Sequence, residues 1–298
     1  MDRALSMQRF GVEVEPGVEL SVIDFGGSGP LLLLSHANGF CAAMWRRVVE
    51  RLSEDCRVLA IDARGHGESS VPAGREAYHW GTLAEDICKV ARHGLARTGA
   101  ERVALAVGHS FGGTCTLGAA ARDTALFGRV LVLDPVILPR SMMVRPAKGA
   151  ASGSRRAGNH MAAGARARRA VFASRAVARE GWSQKSFFQS WDRQMLEDYV
   201  AEGLRDREDG QVELKCAPEV EATVFQTGGT LDLYSVADRI GAPVLFKWAE
   251  KGNFSRAAYE ELAALMAEGR VENAPTGHLI PMEAPAWVAA QLDALLQS

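Results

Sequence analysis

The sequence predicts an α/β protein with a mostly parallel sheet and a helical insertion. Up to about residue 135, short apolar stretches typical of strands alternate with stretches of helical periodicity. Between residues 138 and 234 this alternation stops, and alanine and arginine become frequent. The alternation resumes at Val244. From Leu31 onward, such a pattern predicts parallel strands joined by helices that cover both faces of the sheet.

The predicted elements follow in order from the apolar runs and the turn residues between them. Pro16-Gly17 marks a turn, so the first two strands are expected to form an antiparallel hairpin. The predicted strands cover residues 10–14, 19–25, 31–35, 57–61, 103–107, 130–133, 244–248 and 270–273. The predicted helices cover residues 42–52, 82–97, 111–121, 256–267 and 283–296. Residues 138–234 are too many for a structureless loop, and their periodicity predicts helices and no strand.

The composition predicts a globular protein of the cytoplasm. The chain has 298 residues, of which 47% are hydrophobic and 23% charged, which is enough to form a large core. The formal charge of −2 gives no reason to expect nucleic acid as a partner. The sequence lacks the run of about 18 apolar residues that a spanning helix needs, and residues 1–10 lack the apolar stretch of a signal peptide. No membrane insertion is therefore expected.

The cysteines predict neither disulfides nor a metal site. Their number is odd, and no two of them form a CxxC pair or lie at ligand spacing from a histidine. They are Cys41, Cys56, Cys88, Cys115 and Cys216. We expect reduced and mostly buried thiols, as in cytoplasmic proteins.

One serine stands where a strand must turn sharply into a helix. Gly108-His109-Ser110-Phe111-Gly112 matches G-x-S-x-G, with a strand before it and a helix of small residues after it. The serine of such a turn has an unfavourable backbone conformation, so the residues two positions away must be small. Its hydroxyl lies at the helix N-terminus, where developing negative charge is stabilised. Ser110 is therefore the predicted nucleophile.

Together with four further segments, this motif resembles the α/β-hydrolases over nearly the whole chain. The segments read LLLLSHANGF, AIDARGHGESS, VLVLDPV and PTGHLIPMEAP. The resemblance implies an eight-stranded, mostly parallel sheet whose first pair is antiparallel, with a helical cap inserted after the sixth strand. The core domain is then expected over residues 1–137 and 235–298, and the cap over residues 138–234.

His278 is the predicted general base, because a serine hydroxyl is a weak nucleophile without one. It lies in the loop before the last helix, and this loop carries the base in the family that the chain resembles. By the same resemblance, His36, His66 and His109 have structural roles in the oxyanion loop, in the turn after the fourth strand and in the nucleophile turn.

The acid that orients the base departs from the usual pattern of the family. An aspartate usually follows the seventh strand, but here that segment reads VLFKWAEKGNFS, and Gly252 occupies the expected position. Asp134 follows the sixth strand, a second position that resembles haloalkane dehalogenases, some lactonases and pancreatic-type lipases. Asp134 is therefore favoured over Glu250, and the distance to His278 decides between them.

The resemblance also implies an oxyanion hole, formed by the backbone N–H groups of Asn38 and Phe111. The segment HANG stands where relatives have H-G-x, and the side chain of Asn38 is alternatively available to the substrate. The cap is expected to roof an apolar pocket. The predicted substrate contacts are Phe40, His109, Trp182, Phe188 and Trp191. Most cap arginines are expected on a solvated surface, with a substrate carboxylate as the alternative for one of them; they are Arg166, Arg168, Arg169, Arg175 and Arg179.

These residues predict a serine hydrolase that cleaves a small hydrophobic carboxylic ester or lactone through an acyl-enzyme, without cofactor or metal. Haloalkane dehalogenases and epoxide hydrolases resemble the chain but attack with aspartate. Two alternatives stay open. One is a C–C bond hydrolase for ring-cleavage products. The other is a hydrolase-like receptor that binds without turnover, which the glycine at position 252 favours. The oligomeric state and the natural substrate are not predicted.

Overall fold

The computed structural model describes residues 5–142 and 157–297. In chain order the strands are β1 (Gln8–Glu15), β2 (Val18–Asp24), β3 (Leu31–Ser35), β4 (Arg57–Ile61), β5 (Leu105–His109), β6 (Val130–Leu133), β7 (Val171–Phe172), β8 (Leu204–Asp206), β9 (Val212–Leu214), β10 (Val244–Ala249) and β11 (Gly269–Ala274). Eight of them form the main sheet in the order β1-β2-β4-β3-β5-β6-β10-β11.

Strand pairing in the main sheet is mostly parallel. β2 pairs antiparallel with both of its neighbours, β1 and β4. All other neighbouring pairs of this sheet are parallel. The eight-stranded, mostly parallel α/β fold with an antiparallel first pair is thus confirmed.

In chain order the helices are α1 (Arg46–Val49), α2 (Trp80–Thr98), α3 (Phe111–Arg122), α4 (Ala157–Arg166), α5 (Arg175–Ser183), α6 (Ser186–Gln189), α7 (Arg193–Glu202), α8 (Pro218–Gln226), α9 (Arg256–Ala263), α10 (Ile280–Glu283) and α11 (Pro285–Gln297). Helices from outside residues 138–234 cover both faces of the main sheet. In β3, Leu31 and Leu33 pack in the apolar layer that contains α2, α3 and α9, whereas Leu32 and Leu34 pack in the layer that contains α1 and α11. A strand buried on both faces needs this continuous apolar sequence.

Three predicted elements of the main fold differ from the structure. The helix expected over 42–52 is a 3₁₀ turn, Ala42–Trp45, followed by the short α1. The strand expected over 103–107 begins two residues later, because Val103 forms only an isolated bridge to Phe127. The last helix is divided into α10 and α11 at Ala284, whose backbone (φ −141°, ψ 60°) is not helical, since the proline that follows disfavours the helical region.

The chain between β6 and β10 contains more than helices. In its described part, β7, β9 and β8 form a small antiparallel sheet, where the sequence predicted no strand. These strands are only two or three residues long, which is too short for a periodic pattern. We call residues 138–234 the insertion. Within residues 5–142 and 157–297, no helix is both long and apolar enough to span a membrane.

Candidate active site

Ser110 lies in a strained turn between β5 and α3. Its backbone has φ 56° and ψ −124°, a conformation that few residues other than glycine adopt. The N–H of Ser110 donates to the carbonyl of Leu133 in β6 at 3.0 Å, which holds the turn in place. A Cβ at Gly108 would stand 2.5 Å from the Cα of Gly113, and one at Gly112 would stand 2.3 Å from the carbonyl oxygen of His36. Both glycines are therefore required by contact with backbone.

A hydrogen-bonded chain joins the serine, the histidine and the aspartate. Nε2 of His278 lies 2.9 Å from Oγ of Ser110, and Nδ1 lies 2.7 Å from Oδ2 of Asp134. Because a carboxylate oxygen accepts, Nδ1 carries the proton and the Nε2 lone pair faces the serine hydroxyl. This arrangement allows the histidine to remove the hydroxyl proton.

Asp134 is fully buried and held from several sides. Its Oδ1 accepts the N–H of Ala249 at 3.0 Å and lies 3.1 Å from the hydroxyl of Tyr259. Burial, and then the neighbouring carboxylate, raise the pKa of Tyr259, so its hydroxyl keeps the proton that it donates. These contacts fix the carboxylate in the orientation in which it faces His278.

The two other candidate positions for the acid lie differently. The carboxylate of Glu250 accepts from the side chain of Asn273 at 2.7 Å on the protein surface and does not contact His278. A Cβ at Gly252 would stand 3.1 Å from Oδ2 of Asp134 and 2.9 Å from Cβ of Ala249. Residue 252 must therefore be small when Asp134, which follows β6, provides the carboxylate that faces His278.

The two N–H groups predicted for the oxyanion lie on segments that touch each other. The close approach of Gly112 to His36 joins the start of α3 to the loop after β3. Within the described chain, the backbone N–H groups of Asn38 and Phe111 donate to no other residue. The side chain of Asn38 is engaged, because its Nδ2 donates to the carbonyl of Glu221 at 2.9 Å. This side chain therefore has a protein partner in the structure, whereas the backbone N–H has none among the described residues.

Three buried histidines hold the loops around the site. Nε2 of His36 accepts the N–H of Ala63, and Nε2 of His66 accepts the N–H of Gly39. Nε2 of His109 lies 2.8 Å from the carbonyl of His278 and donates to it. Burial lowers the pKa of all three, to about 3 for His66 and His109, so these rings stay neutral.

A cavity of about 700 Å³ opens beside the serine. Ser110 and His278 form part of its wall, and most of the rest is apolar, including Trp80, Val136, Ile137, Leu231 and Phe254. Met161 and Phe187 also line it and are 55% and 53% exposed, so they mark its opening to solvent. The shape and lining are those of a site for a mainly hydrophobic small molecule.

The predicted substrate contacts lie elsewhere. Phe40, Trp182, Phe188 and Trp191 pack around Tyr199 in an aromatic cluster, with ring centroids 4.9 to 6.3 Å from its ring. His109 is buried beneath the loop that carries His278, whose carbonyl lies 2.8 Å from its Nε2. Among the residues that the structure describes, none of these five lines the cavity beside Ser110, so the structure does not bring them together with the serine there. Phe187 lines it instead, and no pattern in the sequence distinguishes it from its neighbour Phe188.

The described residues offer no site for a metal ion. Outside the gap at 143–156 and the chain ends, no group of three or more histidine, cysteine, aspartate or glutamate side chains is close enough to bind one. All five cysteines are buried thiols.

Comparisons with known proteins agree with this fold. Residues 31–291 match the model of a family described as "Alpha/beta hydrolase family". The chain is 37% identical over 108 residues to a 2-(acetamidomethylene)succinate hydrolase of Mesorhizobium japonicum, a match that covers 36% of each chain. The chain thus aligns with about a third of the length of this curated relative.

Two solved structures are similar over nearly the whole chain. The crystal structure of E-2-(acetamidomethylene)succinate hydrolase superposes with a TM-score of 0.80 at 21% identity, covering 98% of this chain and 100% of that one. The enol-lactonase of Burkholderia xenovorans superposes with a TM-score of 0.70 at 21% identity and the same coverage. With the family match over residues 31–291, these observations establish that the chain belongs to the alpha/beta hydrolase family.

Proposed function

We propose that the protein is a serine hydrolase that cleaves a carboxylic ester or lactone through an acyl-enzyme intermediate. One observation carries the proposal: the chain of hydrogen bonds from Asp134 through His278 to Ser110 ends at the wall of an apolar cavity. A buried acid, a base and a hydroxyl in this order form the arrangement that activates a serine.

In the proposed acylation step, Oγ of Ser110 attacks the ester carbonyl carbon while Nε2 of His278 takes the hydroxyl proton. The backbone N–H groups of Asn38 and Phe111 donate to the oxyanion that forms. When the tetrahedral intermediate collapses, His278 returns the proton to the departing alcohol oxygen. Asp134 keeps Nδ1 protonated and stabilises the charged ring.

Deacylation repeats these steps with water. Nε2 of His278 takes a proton from the water, whose oxygen attacks the acyl carbon. The second oxyanion collapses, the bond to Oγ breaks, and Ser110 regains its proton. All groups that move protons belong to the chain, so the proposal requires no cofactor.

We also propose that the insertion, residues 138–234, acts as a cap over a core of residues 1–137 and 235–298. Met161 and Phe187 of the insertion line the cavity that also contains Ser110. The apolar wall supports a hydrophobic acyl or alcohol group as the part of the substrate that is recognised. The enol-lactonase of Burkholderia xenovorans, which has a similar fold, is named for a lactone substrate, in agreement with this substrate class.

The test is labelling and turnover by wild type and Ser110→Ala. We expect a fluorophosphonate to label the wild type and p-nitrophenyl esters to be hydrolysed, with turnover lowered by about a millionfold in Ser110→Ala. Ser183→Ala, a serine on the surface of α5, is the matched control and should behave as wild type.

Two outcomes would contradict the proposal. A wild type that is neither labelled nor active on esters and lactones, yet binds hydrophobic ligands, would favour the receptor alternative. Preferred turnover of a vinylogous diketone over activated esters would favour the C–C bond hydrolase.

A further inference from the structure

Three residues of the insertion contact the loop that carries Asn38. We call Arg168, Tyr199 and Glu221 the loop clamp. The guanidinium of Arg168, which follows α4, donates to the carboxylate of Glu221 in α8 and, at 2.8 Å, to the hydroxyl of Tyr199 in α7. The hydroxyl of Tyr199 in turn donates to the carbonyl of Gly39 at 3.2 Å. The clamp thus ends on the residue next to Asn38.

Residues of the clamp also approach this loop at Asn38, Gly39 and Phe40. The carbonyl of Glu221 accepts the side chain of Asn38 at 2.9 Å. A Cβ at Gly39, where φ is +81°, would stand 2.9 Å from Oε1 of Glu221 and 3.1 Å from Nη1 of Arg168. Phe40 packs its ring 5.3 Å from that of Tyr199. Three consecutive loop residues, Asn38, Gly39 and Phe40, are therefore in contact with residues of the clamp.

Stability alone is a weak reason for this ion pair. The side chains of Arg168 and Glu221 are 28% and 10% exposed, so forming the pair removes both charges from much of their water. The cost of this desolvation often cancels the attraction between the two charges. What such a pair does supply is a fixed geometry, because each charge must meet its partner.

We infer that the loop clamp positions the backbone N–H of Asn38 for the oxyanion, so that Arg168, Tyr199 and Glu221 are positioning residues of the site. This inference rests on the proposed function. A hydrogen-bond donor stabilises a transition state only when it is aimed before the reaction begins, and a misplacement of about 1 Å costs up to about a hundredfold in rate.

The test compares clamp variants with a neighbouring ion pair. Tyr199→Phe removes only the hydroxyl, and the double variant Arg168→Gln/Glu221→Gln removes both charges together. The control is Arg166→Gln/Glu219→Gln. Arg166 and Glu219 each precede a clamp residue by two positions and join α4 to α8, but this pair is exposed and does not contact the loop. We expect both clamp variants to lower kcat on p-nitrophenyl esters about tenfold to a hundredfold with little change in KM. The control should match the wild type.

A second measurement separates positioning from damage to the fold. Turnover is expressed per serine labelled by fluorophosphonate, so unfolded molecules do not count. A boronic acid that forms a tetrahedral adduct on Ser110 should lose affinity in the clamp variants in proportion to kcat/KM. Clamp variants with wild-type kcat per labelled serine, or with a raised KM alone, would overturn the inference while leaving the proposed nucleophile intact. Failure of the proposed function would instead appear as a wild type that is neither labelled nor active.

Discussion

At the scale of single residues, backbone strain marks the site. Among the residues that the structure describes, Ser110 and Asp134 are the two non-glycine residues with positive φ, 56° and 42°. Each is held by a backbone hydrogen bond to a neighbouring strand. The N–H of Ser110 donates to the carbonyl of Leu133, and the N–H of Asp134 donates to the carbonyl of Lys247. Such strain persists only where the surroundings impose it, and it is concentrated at functional sites. Ser110 and Asp134, the proposed nucleophile and acid, are thus distinguished by conformation as well as by contact.

The role of Asp134 predicts a severe loss of turnover in Asp134→Asn. An amide presents an N–H to Nδ1 of His278 and favours the wrong tautomer, so kcat should fall by about ten-thousandfold while the shape of the site is kept. Turnover of a p-nitrophenyl ester checks this in protein whose thermal unfolding is cooperative. Glu250→Gln is the matched control, and full activity in Asp134→Asn with none in Glu250→Gln would refute the assignment.

The sequence could single out these residues as candidates because the chemistry proposed for them requires a fixed spacing. Ser110 is identified by the small residues around it, and Asp134 by its place at the end of a strand. The cavity wall has no such pattern. Whether Phe187 or Phe188 faces the substrate depends on how α6 sits on the core, which is decided by contacts between segments distant in sequence. The residues that line the cavity were therefore the part that the sequence could not predict.

At the scale of elements, the turn between β5 and α3 is a rigid unit whose glycines cannot be replaced. A methyl group at Gly108 would collide with the backbone of Gly113 at 2.5 Å, and neither backbone can move without displacing Ser110. Gly108→Ala should therefore lower the free energy of unfolding by about 1–3 kcal/mol and abolish labelling of the serine. Chemical denaturation and fluorophosphonate labelling measure the two effects.

A helical glycine with open space provides the control for this variant. A Cβ at Gly181 in α5 would meet no atom within 4 Å, so Gly181→Ala should stabilise the protein by about 0.5–1 kcal/mol and leave labelling intact. Equal labelling of Gly108→Ala and Gly181→Ala would show that the turn tolerates a side chain.

How well an element could be predicted depended on whether its residues form a recognisable pattern. β3 was predicted with its observed bounds because a strand buried on both faces is a continuous apolar run. The strands β7, β8 and β9 were not predicted, since two or three residues carry no period. Likewise, Arg166 and Arg168 look alike in a stretch rich in arginine. The tertiary fold alone decides that Arg166 is exposed, whereas Arg168 faces Glu221 and the loop after β3.

At the scale of the whole molecule, the fold buries three neutral histidines at the junctions between its loops. His36 and His66 tie the loop after β3 to the turn after β4, and His109 ties the nucleophile turn to the base loop. Burial lowers the pKa of His66 and of His109 to about 3, whereas the unfolded chain protonates near the ordinary value of about 6.5. Folding therefore excludes protons that the unfolded state binds.

Because folding excludes these protons, acid should lower the free energy of unfolding. Below about pH 6.5 the unfolded state binds more protons than the folded one, so the free energy of unfolding falls as pH decreases towards about 3, by about 1.4 kcal/mol per pH unit for each of the two histidines. Urea denaturation at neutral pH and near pH 5 measures this slope. In His109→Gln the amide can still donate to the carbonyl of His278. The free energy of unfolding should then depend less steeply on pH, because one of the two contributing histidines is absent. Equal slopes in the wild type and in His109→Gln would contradict a neutral, buried His109.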